Sequence, residues 1–430
     1  MQAAARPIIA AREGRLLAIT RAGVSHLPRA GFPSLLHPDD LVVANDAATL
    51  PASLAATHVR TSAPIEVRLA TRRSLDARGV RRFVAVVFGA GDHRTPTEDR
   101  PLPPRLERGD QLQFIAPRAS TAGHRPGGAW PTPARRTGLS PGEHTLIAHV
   151  VNMCGHPRLA ELEFSGTVDS IWQWLATAGR PVQYAYVPDR LEIWDTWTRV
   201  AARPVAFEPP SAGFLLDWSM LKAIKERGAR FTTITHAAGL SSTGDPDLDR
   251  RLPLDEPYEI PPATADLIAR TRARGGRVIA IGTTVVRALE SAVADDGNVQ
   301  SGAGLATLRL GPRSHLAVVD AIVSGMHEAG TSHYELLEAF ADESILRTMT
   351  AEAEARGYMG HEFGDFVFVE RRETEATGAE VTGEAGLQTG KRGNGDERGE
   401  SRLVACVALP PWPASRAAPG TRARETQAAR

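Results

Sequence analysis

Arg277-Val278-Ile279-Ala280-Ile281-Gly282-Thr283-Thr284-Val285-Val286-Arg287-Ala288-Leu289-Glu290 is the stretch on which the fold turns. Val278 to Ile281 is a short apolar run of the kind that fills a buried parallel strand. Gly282 permits a tight turn, and Thr283 or Thr284 stands where a helix needs an oxygen to cap its first free amides. Free amides and the helix dipole at such a start favour negative charge. Arg287 lies three residues after Thr284 and Glu290 three after Arg287, which sets both along one helix face beside the turn. The junction therefore reads either as an anion pocket flanked by a cation and a carboxylate, or as an α/β junction with a capped helix and a surface ion pair.

Alternation of strand and helix continues on both sides. Arg15 to Thr20 and Asp40 to Asn45 read as apolar strands. Trp218 to Arg227 reads as helix, Phe231 to Thr235 as strand, and Pro261 to Arg274, Thr284 to Val293 and Ser332 to Phe340 as helices. Such an order gives a parallel sheet covered by helices. Pro64 to Thr71, Arg82 to Phe88, Leu112 to Ile115, Leu146 to Val151 and Leu159 to Phe164 are short strands separated by turn-rich linkers, which predicts a small antiparallel barrel. A helix over Asp169 to Ala178 presents Ile171, Trp172 and Leu175 on one face and stops at Gly179. The expected layout is an α/β domain over residues 1–57 and 180–370, with residues 58–179 inserted as a β-barrel. Residues 118–141, rich in Gly, Pro and Arg, read as a loop, and residues 371–430 as a disordered tail with too few apolar side chains to offset the entropy of ordering.

At 430 residues the chain exceeds the size one core usually supports, so two domains are expected. No apolar run approaches the roughly 20 residues that span a bilayer, and a cytoplasmic protein without membrane contact, monomeric, is the expectation. Cys154 and Cys406 make no disulfide framework, no Cys/His spacing fits zinc, and His315, His327, His333 and His361 match no ligand pattern, so no metal is expected. Fifty basic and fifty acidic residues balance, which excludes a uniformly positive surface. Between His58 and His144, however, fifteen arginines face eight acids. That segment is a candidate RNA surface, or else a reflection of a chain that uses arginine in place of lysine throughout.

Gly-Thr-Thr-x-x-Arg-x-Leu-Glu at Gly282 to Glu290 has collinear companions: Arg15-Leu16-Leu17, Leu41-Val42-Val43-Ala44-Asn45-Asp46, Pro51-Ala52, Pro64-Ile65-Glu66-Val67, Pro210-Ser211-Ala212-Gly213, Glu256 with Tyr258 and Ile260, Val319-Asp320, Met326-His327, Ala339-Phe340-Ala341 and Phe363-Gly364-Asp365. Taken together they resemble the S-adenosylmethionine:tRNA ribosyltransferase-isomerase family of queuosine biosynthesis. The resemblance implies an α/β barrel-like domain carrying an inserted β-barrel. It also implies transfer and isomerisation of the ribosyl group of S-adenosylmethionine, a co-substrate, onto a 7-aminomethyl-7-deazaguanine in tRNA, giving epoxyqueuosine-tRNA without a metal. In such chemistry the sulfonium acidifies the adjacent ribose carbon, a positioned base removes a proton, and adenine departure needs stabilised charge.

Site roles follow from the same resemblance. His327 is the candidate base. Asn45 and Asp46 end a strand and project toward a crevice at the sheet's carboxyl edge; Asp46 would balance the sulfonium or bind ribose, or else form an Asx turn. Gly282, Thr283 and Thr284, assisted by Arg287, would hold the methionine carboxylate or a tRNA phosphate, with Glu290 orienting Arg287. Gly213 belongs to the pocket motif, and Asp365 is either a polar site residue or a turn former. Several positions depart from the family pattern. Ala47 and Ala48 replace Thr and Arg, Ser53 replaces Arg, and Leu215 stands where the family has His; His236 is either that histidine displaced or unrelated. Arg60, Arg199 and Arg203 are candidate replacements for the missing cations. The departures leave open a same-fold enzyme acting on a small-molecule acceptor and a non-catalytic binding paralogue.

Overall fold

A computed structural model describes residues 1–4, 14–116 and 145–372. The loop expected over 118–141 and the tail expected from 371 lie almost wholly outside these residues. Nine strands form one mixed sheet in the order Gly302–Ala306, Glu256–Ile260, Arg230–His236, Leu41–Asn45, Val278–Ile281, Ala321–Gly325, Phe366–Glu370, Arg15–Thr20, Gly23–Pro28. The four strands from Arg230–His236 to Ala321–Gly325 run parallel. Leu41 to Ala44 and Val278 to Ile281 are buried on both faces, which explains their unbroken apolar sequences. Helices Trp218–Glu226, Pro262–Ala273 and Thr283–Ser291 follow or precede these strands, as expected for α/β alternation.

The α/β class and the antiparallel barrel are as the sequence indicates. The larger sheet differs from a barrel-like layout: it has two edges, Gly302–Ala306 and Gly23–Pro28. Its edge strands pair antiparallel, so the sheet is mixed instead of wholly parallel. Those short edge strands, Gly23–Pro28 and Gly302–Ala306, are largely exposed and fall below what periodicity can detect.

Six antiparallel strands close the barrel: Ser53–His58, Ala63–Thr71, Arg82–Phe88, Gln111–Ile115, Thr145–His156 and Leu159–Phe164. Its interior is aromatic. Phe83 meets Phe164 edge to face with centroids 5.9 Å apart, and Phe114 meets Phe164 at 5.4 Å. Helix Val168–Ala178 stoppers this core with Ile171, Trp174 and Leu175. Trp174, not Trp172, is the deep aromatic; Trp172 sits at the rim and donates to the Ala77 carbonyl at 3.1 Å. Gly179 ends the helix without a left-handed turn (φ −69°), and a β-carbon there would meet the Pro51 carbonyl oxygen at 2.5 Å. Close chain approach, not turn geometry, is what requires glycine. Among the described residues no helix is long and apolar enough to cross a membrane.

A buried charge cluster ties the barrel wall together. Glu66 accepts from Ser53 Oγ and Arg68 Nε, each at 2.8 Å, and pairs with Arg100. Burial alone would raise its carboxyl, but Arg68 and Arg100 hold it below the ordinary range. Glu66→Ala strands two buried guanidiniums and is expected to cost about 3–5 kcal/mol, read by urea unfolding. Because the folded carboxyl titrates below the unfolded one, the stabilisation is present above pH 4.5 and is lost as pH falls below it.

Candidate active site

Parallel strands end on one side of the sheet, and the segments leaving them converge there. Ile281 runs into Gly282, whose φ of +99° only glycine adopts easily, and the helix starts at Thr283. Gly282 itself is the residue at the cap, with no side-chain hydrogen bond closing the first turn, so neither threonine performs the capping expected of it. The amides at this helix start are left facing a cleft, while the Thr284 hydroxyl accepts from Asn45 Nδ2 at 3.3 Å.

The cleft encloses about 790 Å³, open to solvent. Gly282, Thr283 and Thr284 line it together with Ser324, Gly325, His327 and His333, and with the Glu208–Ala212 segment, which is hydrogen-bonded to the neighbouring Ser241 amide. His327 Nε2 lies 3.1 Å from Ser324 Oγ, and its ring stacks on His333 with centroids 4.5 Å apart. Burial first, then the neighbouring His333 and His361, pushes the His327 imidazole well below its ordinary range, which leaves it neutral and able to accept a proton at pH 7. His315 and His361 do not join this pair along the cleft.

Arg287 lines the cleft but is already engaged. It pairs with Glu256, and it donates to the carbonyls of Leu308 at 3.0 Å, Leu254 at 3.1 Å and Ala306 at 2.9 Å. Its charge belongs to Glu256, which also accepts from the Gly239 amide and lies 3.0 Å from His236 Nε2. His236 Nδ1 donates to the Thr284 carbonyl at 2.6 Å, since a carbonyl only accepts. Glu290 does not orient Arg287. Its carboxylate turns away to accept the amides of Ala317, Val318 and Val319 at 2.7, 3.0 and 2.9 Å. Residues three apart on a helix are neighbours in spacing only; here each reaches a different loop.

The remaining expected residues stand behind the cleft, not along it. Asn45 is buried and spans two strands, donating to the His236 carbonyl at 2.9 Å and accepting from the amides of His236 at 2.9 Å and Ala47 at 3.0 Å. Asp46 accepts from Thr233 Oγ1 at 3.0 Å and Thr235 Oγ1 at 2.6 Å. Asp365 accepts from the Arg15 amide at 2.8 Å, Arg15 Nη2 at 2.7 Å and the Met359 amide at 2.9 Å. Gly213 is buried in the turn Ser211–Leu215. Of the proposed substitute cations, Arg60 is held by Asp110 on the barrel and Arg203 by Glu259. Glu208, Ser241, Glu256, Arg309 and His333 are cleft residues that the sequence reading did not single out as such. Only Glu256 carried a motif signal.

Glu256 titrates at about 2: burial raises it, and Arg287 with His236 overrides burial. Arg287→Ala removes that compensation from a buried carboxylate and is expected to lower stability by about 3–5 kcal/mol by denaturant unfolding. The pair's contribution is complete above pH 4.5 and disappears as pH falls toward 2, so the variant and the parent chain are expected to converge in stability in acid.

A sequence profile described as queuosine biosynthesis protein matches residues 1–369. S-adenosylmethionine:tRNA ribosyltransferase-isomerase of Acidiphilium cryptum is 30% identical over 377 residues, 86% of this chain and 95% of that one. The protein of the same name from Gloeobacter violaceus is 28% identical over 83% of this chain and 88% of its own. That of Dechloromonas aromatica is 36% identical over a shorter span, 40% of this chain and 50% of its own. A crystal structure of S-adenosylmethionine tRNA ribosyltransferase from Thermotoga maritima, 20% identical, covers 85% of this chain and 95% of that one with a TM-score of 0.42. With its profile spanning both the sheet and the barrel, the chain belongs to the queuosine biosynthesis protein family.

Proposed function

We propose that this chain transfers and isomerises the ribosyl group of S-adenosylmethionine onto a 7-aminomethyl-7-deazaguanine in tRNA. The observation that carries the reading is the convergence of the Gly282–Thr284 helix start, the His327–His333 pair and the Glu208 segment on one cleft, in a chain matched by the family over 369 residues. Family relatives bear the name of that reaction.

The division of labour follows from the contacts. His327, neutral at pH 7 and half-buried beside Ser324, is the base that removes the ribose proton activated by the sulfonium. The amides of Thr283 and Thr284 and the guanidinium of Arg309 meet the anionic part of the ligand, the methionine carboxylate or a tRNA phosphate. Arg309, whose exposed pair with Glu335 at 3.1 Å is easier to exchange for a ligand anion than the buried Arg287–Glu256 pair, takes the part expected of Arg287. Asn45, Asp46, Arg287, Glu290, Gly213 and Asp365 hold the elements that form the cleft. The sheet would carry the chemistry, and the arginine-rich inserted barrel, whose first strand begins at Ser53, ahead of the boundary expected at 58, the tRNA.

Full-length protein given S-adenosylmethionine and precursor-bearing tRNA is expected to release adenine. His327→Gln is expected to slow release by about 10²–10⁴-fold while tRNA binding stays intact. With the parent chain the rate should stay flat from neutral pH down through 6.5 and fall only below it, since the imidazole is depressed. Adenine release by the His327 variant at the parent rate would remove the base assignment. Release that needs no RNA would point to a small-molecule acceptor.

A further inference from the structure

Glu208 is a carboxylate without a cation. It is 6% exposed, yet it lines both the main cleft and a narrow adjoining crevice walled by Gln183, Tyr184, Tyr186 and Glu362. Oε1 accepts from the Tyr184 hydroxyl and Oε2 from the Ser241 amide at 3.0 Å, with the Ser241 hydroxyl also on the carboxylate, so its hydrogen-bond partners are all neutral. No described Lys, Arg or His forms an ion pair with it; Arg68, the cation whose charge it feels, is paired with Glu66. A buried carboxylate in that position is costly unless something positive meets it. Burial raises its carboxyl above the ordinary range, and the Tyr184 and Ser241 hydrogen bonds do not fully offset this.

Resting on the adenosylsulfonium reading of the cleft, we infer that Glu208 is the counter-charge for the sulfonium of S-adenosylmethionine, held between the cleft and the crevice with Tyr184 beside it. A sulfonium has no N–H and is weakly hydrated, so it enters a buried site at lower desolvation cost than an ammonium and interacts chiefly through charge. The Tyr184 ring, half-buried next to the carboxylate, already has the Arg68 guanidinium over it at 5.6 Å and stacks parallel to Tyr186 at 5.9 Å, so its part is to fix the carboxylate through its hydroxyl. Glu256, the other buried carboxylate of the cleft, is already neutralised by Arg287, which leaves Glu208 with the unspent charge.

Calorimetric binding of S-adenosylmethionine and of its neutral thioether, S-adenosylhomocysteine, to the full chain separates the possibilities. The parent is expected to prefer the sulfonium by about tenfold or more. Glu208→Gln, which keeps the size and an acceptor for Ser241, is expected to abolish that preference and to change thioether affinity by less than about twofold. A preference that survives Glu208→Gln overturns the inference, and so does an equal loss for both ligands, which would place the amino group there instead. If Glu208→Gln does not fold, Tyr184→Phe removes one donor to the ionised carboxylate and should reduce the preference severalfold; an unchanged preference overturns the inference. A parent chain that binds neither ligand overturns the reading of the cleft itself along with it.

Discussion

Glu256 is the constraint on which the cleft depends. It begins a strand, second from the sheet's edge, that starts at the carboxyl ends of the parallel strands and runs antiparallel to them, and its carboxylate is shared by Arg287 from the Gly282 helix, His236 from a central strand and the Gly239 amide. Three chain segments far apart in sequence are thereby locked around one buried negative charge. A charge this deep is stable only when every partner is present, which makes the arrangement all or nothing.

Behind that cluster, short polar side chains do the joining. Asn45 makes four hydrogen bonds, two to His236 on the neighbouring strand, one to Thr284 on the helix and one to Ala47 beyond its own strand, and Glu290 gathers three consecutive amides of the 317–319 segment. Each satisfies backbone groups that irregular chain at a sheet edge would otherwise leave buried and unpaired. Motif residues of this kind are needed for the shape of a site without touching what enters it. The cleft wall is then supplied by His327, His333 and Glu208, with Arg309 held by an exposed pair to Glu335.

Legibility in the sequence followed burial. Leu41–Asn45, Val278–Ile281 and the barrel strands Arg82–Phe88 and Leu159–Phe164 are apolar enough to be read directly, and the Gly282 turn announces itself through glycine before a helix. Gly23–Pro28 and Gly302–Ala306 are half-exposed edges held by pairing alone, so no pattern marks them. Roles were harder to read than places. Arg287 and Glu290 were correctly set beside the turn, but helical spacing cannot say that Arg287 reaches Glu256, 31 positions earlier, or that Glu290 reaches a later loop. Glu208 carries no local signal, since an isolated glutamate acquires meaning only from the burial and neighbours that tertiary structure gives it.

The most direct measurement is a crystal structure of the chain with S-adenosylmethionine. The ligand is expected in the cleft, its carboxylate at the Thr283 and Thr284 amides, its ribose within reach of His327 and its sulfur beside Glu208. A ligand seated outside the cleft, or inside it with its ribose turned away from His327 and His333, would contradict the account.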